Sequence, residues 1–425
     1  MPRKKIAREI FNDALEASKA HKFMQAVRLE NETLKIFEDS YDLSRYKNIY
    51  IFGSGKAAES MACEIEKILG DKIHKGIVVT SQKKNELKFI KVLEGTHPLP
   101  TQKSLDAAQE LIDAMNSCEN EDLFIYLLSG GSSAIIELPI DSVSLQDLQE
   151  TTRLMLHNAL DIHEMNVIRK HLSQVKGGRL VEKVQADGIV LVLSDIVDND
   201  LYSIGSAPTY CDRSTFEEAL DILETKEIFE KIPLSVQNVL KAGKAGQILE
   251  TPKEVKSSLK HYVVASNMQA LQAAKKSASV KGLDVELIDI PLDDTVENVV
   301  EEIYSKIVSS SAQCILFGGE CTVKVQGNGK GGRNQHLVAL LMQKMDETKL
   351  DVCFLSAATD GIDGNSDAAG ACVDYRDFES IHFSDLHQSI VDFDTNSFFD
   401  QNGFLIHTGA TGTNVIDLVI IIKDK

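Results

Sequence analysis

Residues 317–337 read FGGECTVKVQGNGKGGRNQHL, and this stretch indicates the fold class most directly. A run typical of a β-strand, residues 322–326, is followed by a glycine-rich loop and then by apolar residues at helical spacing from His336 onward. The order strand, loop, helix is typical of α/β proteins. Because the glycines at 327, 329, 331 and 332 carry no Cβ, we expect backbone N–H groups to face an anion at the positive end of the helix.

Two basic residues of this loop strengthen the prediction of an anion site. Lys330 adds a mobile charge, and Arg333 adds a planar fork that can hold phosphate or carboxylate oxygens at two points. Glycine clusters between a strand and a helix are also common as tight connections, and a lone G-x-G-x-x-G is weak evidence for nucleotide binding. Similar loops follow several other apolar runs of this chain, which favours a binding site.

Length and composition indicate a protein of two domains. The chain has 425 residues, 43% of them apolar, and β-like and helical runs alternate along it. A polar connection at residues 241–258 predicts a boundary, so we expect domains over residues 1–250 and 251–425. The predicted class is α/β, with a larger Rossmann-like open sheet covered by helices on both faces and a smaller mixed α/β domain.

Charge, cysteines and hydropathy exclude several classes of protein. A formal net charge of −19 argues against nucleic-acid binding, which needs concentrated positive charge. Seven cysteines without a C-x-x-C pair predict reduced core residues rather than disulfides or zinc. No apolar run approaches the ~18 residues of a membrane span, and the N-terminal residues lack the apolar region of a secretory signal. We predict a cytoplasmic protein that binds neither nucleic acid nor membrane.

The N-terminal part of the chain predicts a helix and then a phosphate-binding turn. Apolar residues at helical spacing predict a long helical stretch over residues 3–39. A strand over residues 48–52 then ends in Gly53-Ser-Gly-Lys56, which fits G-x-G-x-x-A and keeps dinucleotide binding open. After the next strand, residues 76–80, no Asp or Glu stands where a ribose-binding carboxylate is expected; this weakens NAD binding and leaves NADP. We expect Lys56 to reach a phosphate at the helix start.

A second small-residue turn, residues 129–134, follows the strongly apolar run 122–128 and reads Ser-Gly-Gly-Ser-Ser-Ala. Hydroxyl groups and glycines let a ligand oxygen contact hydroxyls and backbone N–H groups together, although a capped helix start without a ligand has the same composition.

His97 is interpreted as a hydrogen-bonded turn residue, with ligand binding as the alternative. Lys176 precedes two glycines in a basic segment of this acidic chain.

Carboxylates follow two of the buried-type strands. Asp195 comes after the run 189–193, and Asp360 follows the run 352–357. Carboxylates just past the C-terminal ends of strands lie where open α/β sheets bind ligands, and Mg²⁺ needs only one or two of them plus phosphate oxygens. Asp198 is predicted as a solvated loop residue. The loop around Asp360 is spaced like a calcium loop but lacks the bidentate Glu, so no EF-hand is predicted.

Together these motifs resemble the glycerate 2-kinase family, the two-domain class whose C-terminal half carries a MOFRL domain. The resemblance covers about residues 51–422, and the order of the motifs along one chain makes it specific. The matching motifs are Gly53-Ser-Gly-Lys-Ala57, Gly95-Thr-His-Pro98, Ser129-Gly-Gly-Ser-Ser-Ala134, Lys176-Gly-Gly178, Ser194-Asp195, Gly318-Gly-Glu-Cys-Thr-Val323, Gly331-Gly-Arg-Asn-Gln335, Thr359-Asp-Gly-Ile-Asp-Gly364 and Thr411-Gly-Thr-Asn414. This chain departs from the family at Asp198-Asn199, usually Gly-Asp, and at Ser206-Ala207-Pro208, usually Ser-Gly-Pro.

The resemblance implies a kinase that uses ATP and Mg²⁺ to phosphorylate the 2-hydroxyl of D-glycerate, in a cleft between a glycerate kinase domain (1–250) and a MOFRL-type domain (251–425). By resemblance and position, Lys56 and Arg333 are predicted to act on the transferring phosphoryl group. Asp195 is predicted as catalytic and, with Asp360, as a metal ligand. Predicted ATP or glycerate contacts are Gly53, Gly55, Ser129, Gly130, Gly131, Ser132, Ser133, Lys176, Glu320 and Asn334.

Two other functions remain open from the sequence. The turn at Gly53 also suggests an NAD(P)-dependent hydroxypyruvate reductase, and the two-domain cleft would equally suit a non-catalytic protein that binds small acids. The kinase is favoured because the loops carry cationic and carboxylate groups together. No Walker A pattern is present, so it would be a non-P-loop kinase. Which carboxylate binds the metal and which loop holds ATP are left open, and a homo-oligomer is compatible with the sequence.

Overall fold

The computed structural model describes residues 2–196 and 199–424. The strands are β1 (Val27–Glu30), β2 (Thr33–Ile36), β3 (Asp39–Asp42), β4 (Ile49–Ser54), β5 (Ile73–Thr80), β6 (Ile90–Glu94), β7 (Leu123–Leu128), β8 (Asp187–Leu193), β9 (Leu259–Ala265), β10 (Val285–Leu287), β11 (Cys314–Gly319), β12 (Val352–Ala358), β13 (Gly370–Asp374), β14 (Leu405–Ile406) and β15 (Asp417–Lys423). The helices are α1 (Arg3–Ala17), α2 (Ala20–Phe23), α3 (Ala58–Leu69), α4 (Gln102–Asn116), α5 (Ser132–Ile135), α6 (Leu145–His157), α7 (Ile162–His171), α8 (Arg179–Glu182), α9 (Phe216–Thr225), α10 (Leu234–Lys244), α11 (Asn267–Val280), α12 (Val296–Ser309), α13 (Arg333–Thr348), α14 (Phe383–Val391) and α15 (Thr395–Gln401).

The chain forms two compact units. Residues 24–193 and 199–264 make the first unit, and the other described residues make the second. These units differ from the sequence ranges 1–250 and 251–425 because residues 2–23 and 194–196 join the second unit and residues 251–264 join the first. The two ranges remain a prediction about domains, since compactness alone does not show which segments fold independently.

The first unit contains a six-stranded sheet in the order β6-β5-β4-β7-β8-β9. Every side chain of β4 and β7 is buried, as expected for central strands of a parallel sheet whose faces are both covered. Numbered along the chain, this order is 3-2-1-4-5-6, which is the Rossmann order. The predicted Rossmann-like sheet is therefore confirmed, with its topological switch point between β4 and β7.

The second unit contains a mixed sheet in the order β10-β11-β15-β12-β13-β14. Only β10 and β11 pair in parallel, because β15 returns between β11 and β12 and runs antiparallel to both. Helices α12 and α13 pack together, and α13 also contacts β12 and β13 over a continuous apolar core. This confirms the predicted mixed α/β architecture.

The predicted helical stretch over residues 3–39 is confirmed as far as Phe23, as α1 and α2, and is wrong from Val27 onward. Residues 27–42 form three short antiparallel strands, with Asn31 at a positive φ of 56° in the turn between β1 and β2. In β2 buried and half-buried residues alternate, which is the period-two pattern of a strand. Helix α1 packs on the mixed sheet of the second unit, where it contacts β12, β13 and β15.

Other sequence predictions have mixed outcomes. The predicted strand over residues 322–326 is wrong, since only Thr322 makes a single bridge, to Thr295. All seven cysteines are free and six are buried, which confirms the prediction of reduced core residues. None of the helices in the described part of the chain combines the length and apolar character that a membrane crossing requires.

Candidate active site

Lys56 lies at the switch point of the first unit. It follows the C-terminal end of β4, next to the turn that follows β7, and open α/β sheets bind ligands at such crevices. The backbone N–H of Lys56 donates to the carbonyl of Gly130 at 2.9 Å. A Cβ built on Gly131 would lie 3.3 Å from Cγ of Lys56 and 3.0 Å from Cδ2 of His97. Because Gly131 has no side chain, the side chains of Lys56 and His97 can both lie close to the turn that follows β7.

The glycines at 53 and 55 serve close packing. A Cβ on Gly53 would lie 2.6 Å from the carbonyl oxygen of Leu127, and one on Gly55, whose φ is +125°, would lie 2.3 Å from that of Ser129. The N–H groups in this turn also have protein acceptors: that of Gly55 donates to Val79 O, and that of Ala57 to Ser129 Oγ. The contacts of Gly53 and Gly55 thus join two strand ends and do not leave an open pyrophosphate cradle.

The turn after β7 divides into buried and accessible residues. Ser129 and Ser132 are fully buried; Ser132 Oγ lies 2.6 Å from Ser54 Oγ, which is 2.5 Å from the Tyr126 hydroxyl. These buried hydroxyl groups form hydrogen bonds that join the turn to the ends of β4 and β7. Of the predicted contacts in this turn, Gly131 and Ser133 are partly exposed. We keep these two residues as candidate ligand contacts, together with the buried Gly130 beside them.

Lys176 lies inside the first unit. Its side chain is 1% exposed and forms an ion pair with Glu137, whose own side chain is 3% exposed. The Ser173 hydroxyl donates to the other oxygen of Glu137 at 2.6 Å. Burial holds the pKa of Lys176 below its ordinary value, although Glu137 opposes this effect. Because the amine has a buried partner, we do not carry the predicted ligand contact of Lys176 into the proposed site.

A strained backbone segment lies against this region. Gly205, Ser206 and Ala207 have φ values of 57°, 60° and 55°, so three consecutive residues are left-handed. A Cβ on Gly205 would lie 2.8 Å from Cβ of Ser132, and the N–H of Gly177 donates to the carbonyl of Ser206. Ala207 is the position where related motifs have glycine, and an L-residue pays about 1–2 kcal/mol in this conformation.

We expect Ala207→Gly to leave the free energy of unfolding nearly unchanged. Relief of about 1–2 kcal/mol of strain offsets the loss of one buried methyl, about 0.8 kcal/mol, and the added chain entropy of glycine, about 0.5–1 kcal/mol. Ala219 is a matched control because it is equally buried but lies within helix α9. Urea unfolding should show Ala219→Gly to be less stable than Ala207→Gly by about 1–2 kcal/mol. Equal losses would contradict a strained Ala207.

The second unit gathers its functional groups at one edge of its sheet. In the strand register Asp417, the first residue of β15, stands opposite Gly319 of β11 on one side and Ala358 of β12 on the other. Because β15 is antiparallel to both neighbours, its start meets the two ends that lead into Glu320 and Asp360. Three chain segments therefore bring carboxylates to one edge.

Arg333 begins helix α13 and is held by two of these carboxylates. Its Nε donates to Oδ2 of Asp417 at 2.5 Å, and its Nη2 donates to Oδ1 at 3.0 Å. Its Nη1 lies 2.8 Å from Oε1 of Glu320. Burial lowers the pKa of Arg333, but Asp417 and Glu320 outweigh it, so the pKa lies above the ordinary value. The guanidinium is thus a fixed, permanent cation.

Negative charge surrounds Arg333. The pKa of Glu320 lies above its ordinary value, mainly because its carboxylate is partly removed from water. The positive charge of Arg333 lowers this pKa, whereas the negative charges of Asp417, Asp195 and Asp360 raise it. Asp195, the residue that follows Ser194 after β8, is therefore within electrostatic range of Glu320 in the same unit. Of the predicted site residues, Arg333 and Glu320 are in contact here, and Asp195 and Asp360 lie near enough for their charges to act on Glu320.

The glycine loop before α13 packs against other segments of the second unit. A Cβ on Gly327 would lie 2.3 Å from the carbonyl oxygen of Asp392, and one on Gly329 would lie 2.5 Å from backbone atoms of Phe393, so both glycines permit close packing. The N–H of Lys330 donates to Asp394 Oδ1, and that of Gly331 to Asn365 Oδ1. The prediction that backbone N–H groups of this loop face a ligand is therefore wrong for Gly331, whose N–H already has an acceptor in the protein.

The start of α13 is occupied by a carboxylate of the protein itself. Asp363 accepts hydrogen bonds from the N–H groups of Asn334 at 3.0 Å and Gln335 at 2.8 Å. The Asn334 side chain, 1% exposed, accepts from the Ser356 hydroxyl at 2.6 Å and points its amide toward Asp363. Asn334 therefore anchors the helix start, and we do not carry its predicted cofactor contact forward.

We expect Asp363→Asn to change how stability depends on pH. Burial raises the pKa of Asp363 to about 6, and the nearby charge of Asp417 raises it further. The N–H groups of Gln335 and Asn334 and the charge of Arg333 lower this pKa but do not outweigh burial. The folded protein then binds more protons than the unfolded chain between about pH 4 and 6, so this group stabilises the parent as pH falls. From pH 7 to 5 the parent should gain on the order of 1 kcal/mol relative to the variant in urea unfolding. Parallel pH curves would contradict the raised pKa.

Two carboxylates that contact predicted site residues, one in each unit, were not predicted from the sequence. Asp417 is a single acidic residue before an apolar strand, and only the strand register shows that it faces Arg333. Glu137 follows an apolar segment with no motif around it. The prediction for Asp198 concerns a position outside the described residues.

Comparisons with known proteins identify the family of this chain. Residues 6–241 match a family described as a domain of unknown function, DUF4147, and residues 313–417 match the MOFRL family. A protein of Pyrococcus horikoshii named glycerate 2-kinase is 34% identical over 99% of this chain and 97% of its own length. A D-glycerate 2-kinase of Thermotoga maritima is 34% identical over 98% of this chain and 97% of its length.

A solved structure gives the same result for the fold. The crystal structure of glycerate kinase from Thermotoga maritima superposes with a TM-score of 0.85, at 32% identity, and the match covers 99% of both chains. Sequence family, near full-length identity and fold therefore agree. This chain belongs to the glycerate 2-kinase family of enzymes, in the two-domain class that carries a MOFRL domain.

Proposed function

We propose that this chain is a kinase that transfers the γ-phosphoryl group of ATP to the 2-hydroxyl of D-glycerate, giving 2-phosphoglycerate and ADP. The observation that carries the proposal is the fixed Arg333 cation among the carboxylates of Asp195, Glu320 and Asp360. A permanent cation beside oxygen donors suits a transferring phosphoryl group and its metal. The names of the two relatives, glycerate 2-kinase and D-glycerate 2-kinase, support the acceptor and its position.

In the proposed reaction, the 2-hydroxyl oxygen of glycerate forms a bond to the γ-phosphorus while the bond to the β–γ bridging oxygen breaks. ADP leaves with that oxygen, and the hydroxyl proton passes to a carboxylate, for which we propose Asp195. Phosphoryl transfer needs little covalent work from the protein beyond alignment and charge neutralisation. We propose that Lys56 and Arg333 each neutralise negative charge on the transferring phosphoryl group.

We also propose Mg²⁺ as a cofactor. Asp195, Asp360 and Glu320 offer the hard oxygen donors that Mg²⁺ prefers, and phosphate oxygens would complete its coordination. Within residues 2–196 and 199–424, no group of three or more His, Cys, Asp or Glu side chains is arranged to hold a metal by itself. We propose that the metal arrives with the nucleotide. Once bound, it would neutralise charge on the phosphate oxygens.

In the first unit we propose that Lys56, Gly130, Gly131 and Ser133 bind phosphate or glycerate oxygens. Gly131 and Ser133 are accessible, and the Lys56 chain passes beside them. The strong negative charge of the whole protein repels anionic ligands, so these few local donors must provide the attraction. The free cysteines are consistent with a cytoplasmic location, which we also propose, and self-association is left open.

The two alternatives receive less support. A reductase would need the N–H groups after β4 for the dinucleotide pyrophosphate, but those of Gly55, Lys56 and Ala57 donate to acceptors of the protein. A passive binding protein would not need several carboxylates around a fixed arginine.

One assay tests the proposed function. ADP release should depend on D-glycerate, ATP and Mg²⁺, and the product should be identified as 2-phosphoglycerate by NMR. Formation of 3-phosphoglycerate would contradict the proposed acceptor position. Oxidation of NAD(P)H with hydroxypyruvate would support the reductase, and a thermal shift with glycerate but without ADP formation would support the binding protein.

A further inference from the structure

The two carboxylates that hold Arg333 differ in their surroundings. The side chain of Asp417 is 6% exposed, whereas that of Glu320 is 46% exposed. Asp417 contacts Arg333 at two points, Nε and Nη2, and Glu320 contacts it only at Nη1. Two-point contact fixes both the position and the plane of a guanidinium group, whereas a single contact to an exposed side chain fixes neither.

The backbone around Asp417 is itself constrained. Ile416, directly before it, is a buried β-branched residue at a φ of +59°, a conformation that such residues rarely adopt. Its carbonyl accepts from both the N–H and the hydroxyl of Thr359, and its N–H donates to Oδ1 of Asn414. On the other side, Asn267 donates to the carbonyl of Asp417 at 3.1 Å. Strain of this kind persists where the surrounding contacts over-determine the backbone, and it concentrates at functional sites.

We propose that Asp417 is the positioning residue of the kinase: it fixes the guanidinium of Arg333 so that this group meets the phosphoryl group in one orientation. A guanidinium has five N–H groups. Two donate to Asp417 and one faces Glu320, so one on each terminal nitrogen remains for an anion. Asp417 therefore acts through Arg333 and does not itself touch the substrate. This inference rests on the proposed function.

A double-mutant cycle tests the coupling. Asp417→Asn should lower kcat/KM for D-glycerate by about 30-fold or more, mainly through kcat, because a mispositioned donor is lost in the transition state. In an Arg333→Ala background the same change should cost less than about three-fold, since there is no guanidinium left to position. Losses that simply multiply would overturn the proposal. Assays are run below the melting temperature of the least stable variant.

Asp374→Asn is a matched control. Asp374 is also buried in the second unit and holds an arginine, Arg3, through Nε and Nη2. Its loss should lower the melting temperature but leave kcat/KM within about three-fold, because Arg3 has no role in the reaction. If Asp374→Asn lowered kcat/KM as much as Asp417→Asn does, the effect would be one of folding, and the proposal would fail.

A second readout needs no turnover and separates this inference from the proposed function. Phenylglyoxal modifies accessible guanidinium groups, and peptide mass spectrometry reports the rate at each arginine. Asp417→Asn should speed modification of Arg333 by about ten-fold, because Asp417 covers Nε and Nη2 of its guanidinium group. Asp374→Asn should leave that rate unchanged, because Asp374 contacts Arg3 instead. If phenylglyoxal modified Arg333 at the same rate in Asp417→Asn as in the parent, the positioning role of Asp417 would be overturned, even if the parent releases ADP. If the parent did not release ADP, that result would instead contradict the proposed function.

Discussion

Replacing Arg333 with alanine is expected to lower kcat/KM for D-glycerate by on the order of 100-fold or more, and Lys56→Ala should do the same. Each side chain is proposed to neutralise charge that develops on the phosphoryl group, so its loss acts on the transition state more than on binding. Arg333 is already oriented by Asp417, and such preorganised charge needs no rearrangement during the reaction. ADP release at varied D-glycerate and ATP gives kcat and KM separately.

Lys330→Ala and Lys67→Ala are the matched controls for this experiment. Lys330 lies three residues before Arg333 but is exposed and paired with Asp367 at 2.9 Å. Lys67 lies on the helix after Lys56 and pairs with Glu64 at 2.7 Å on the surface. Exposed pairs contribute little, so both variants should stay within about two-fold of the parent.

Arg333→Lys adds a test of geometry. A lysine keeps the charge but cannot contact Asp417 at two points, so most of the loss seen with alanine should remain. Activity within a few-fold of the parent in Arg333→Ala or Lys56→Ala would show that the assignment of these residues to the phosphoryl group is wrong.

The sequence was sufficient to predict the parallel sheet and the location of its loops. Central strands such as β4 and β7 are buried on both faces, and their sequences are therefore continuous apolar runs that end in small-residue turns. The same turns hold Lys56 and Ser133 at the switch point. Motifs that combine a strand end with a charged residue, as at Asp195 and Asp360, were also visible, because such residues stand out after an apolar run.

Contacts made by tertiary packing were not visible. Glycines at 53, 55, 327 and 329 suggested ligand approach, but in the structure they let two chain segments approach each other. The N–H groups of Lys330, before α13, and of Asn334, in its first turn, donate to the distant residues Asp394 and Asp363, which no local pattern reports. The strands of residues 27–42 were missed because each is only four residues long, too short for a clear period-two signal beside a genuine helix.

Lys176→Met is expected to lower the free energy of unfolding by about 3–5 kcal/mol, because it leaves the buried carboxylate of Glu137 without its cation. The double variant Lys176→Met with Glu137→Met should recover a substantial part of that loss, since an apolar pair of similar volume avoids the desolvation of both charges. Recovery should be incomplete, because the Ser173 hydroxyl and the Leu138 N–H both donate to Glu137 in the parent. Urea unfolding of the parent, both single variants and the double variant measures the coupling between the two residues.

The same four proteins decide between a structural and a ligand-binding Lys176. If the amine only neutralises Glu137, the double variant recovers kcat/KM to within about three-fold of the parent together with its stability. If Lys176 binds ATP or glycerate, the double variant recovers stability but keeps an activity loss comparable to that of Lys56→Ala. The structure favours the first result because the Lys176 side chain is 1% exposed and its amine already contacts Glu137. A motif residue of the family would then support the site through a buried ion pair and not through contact with a ligand.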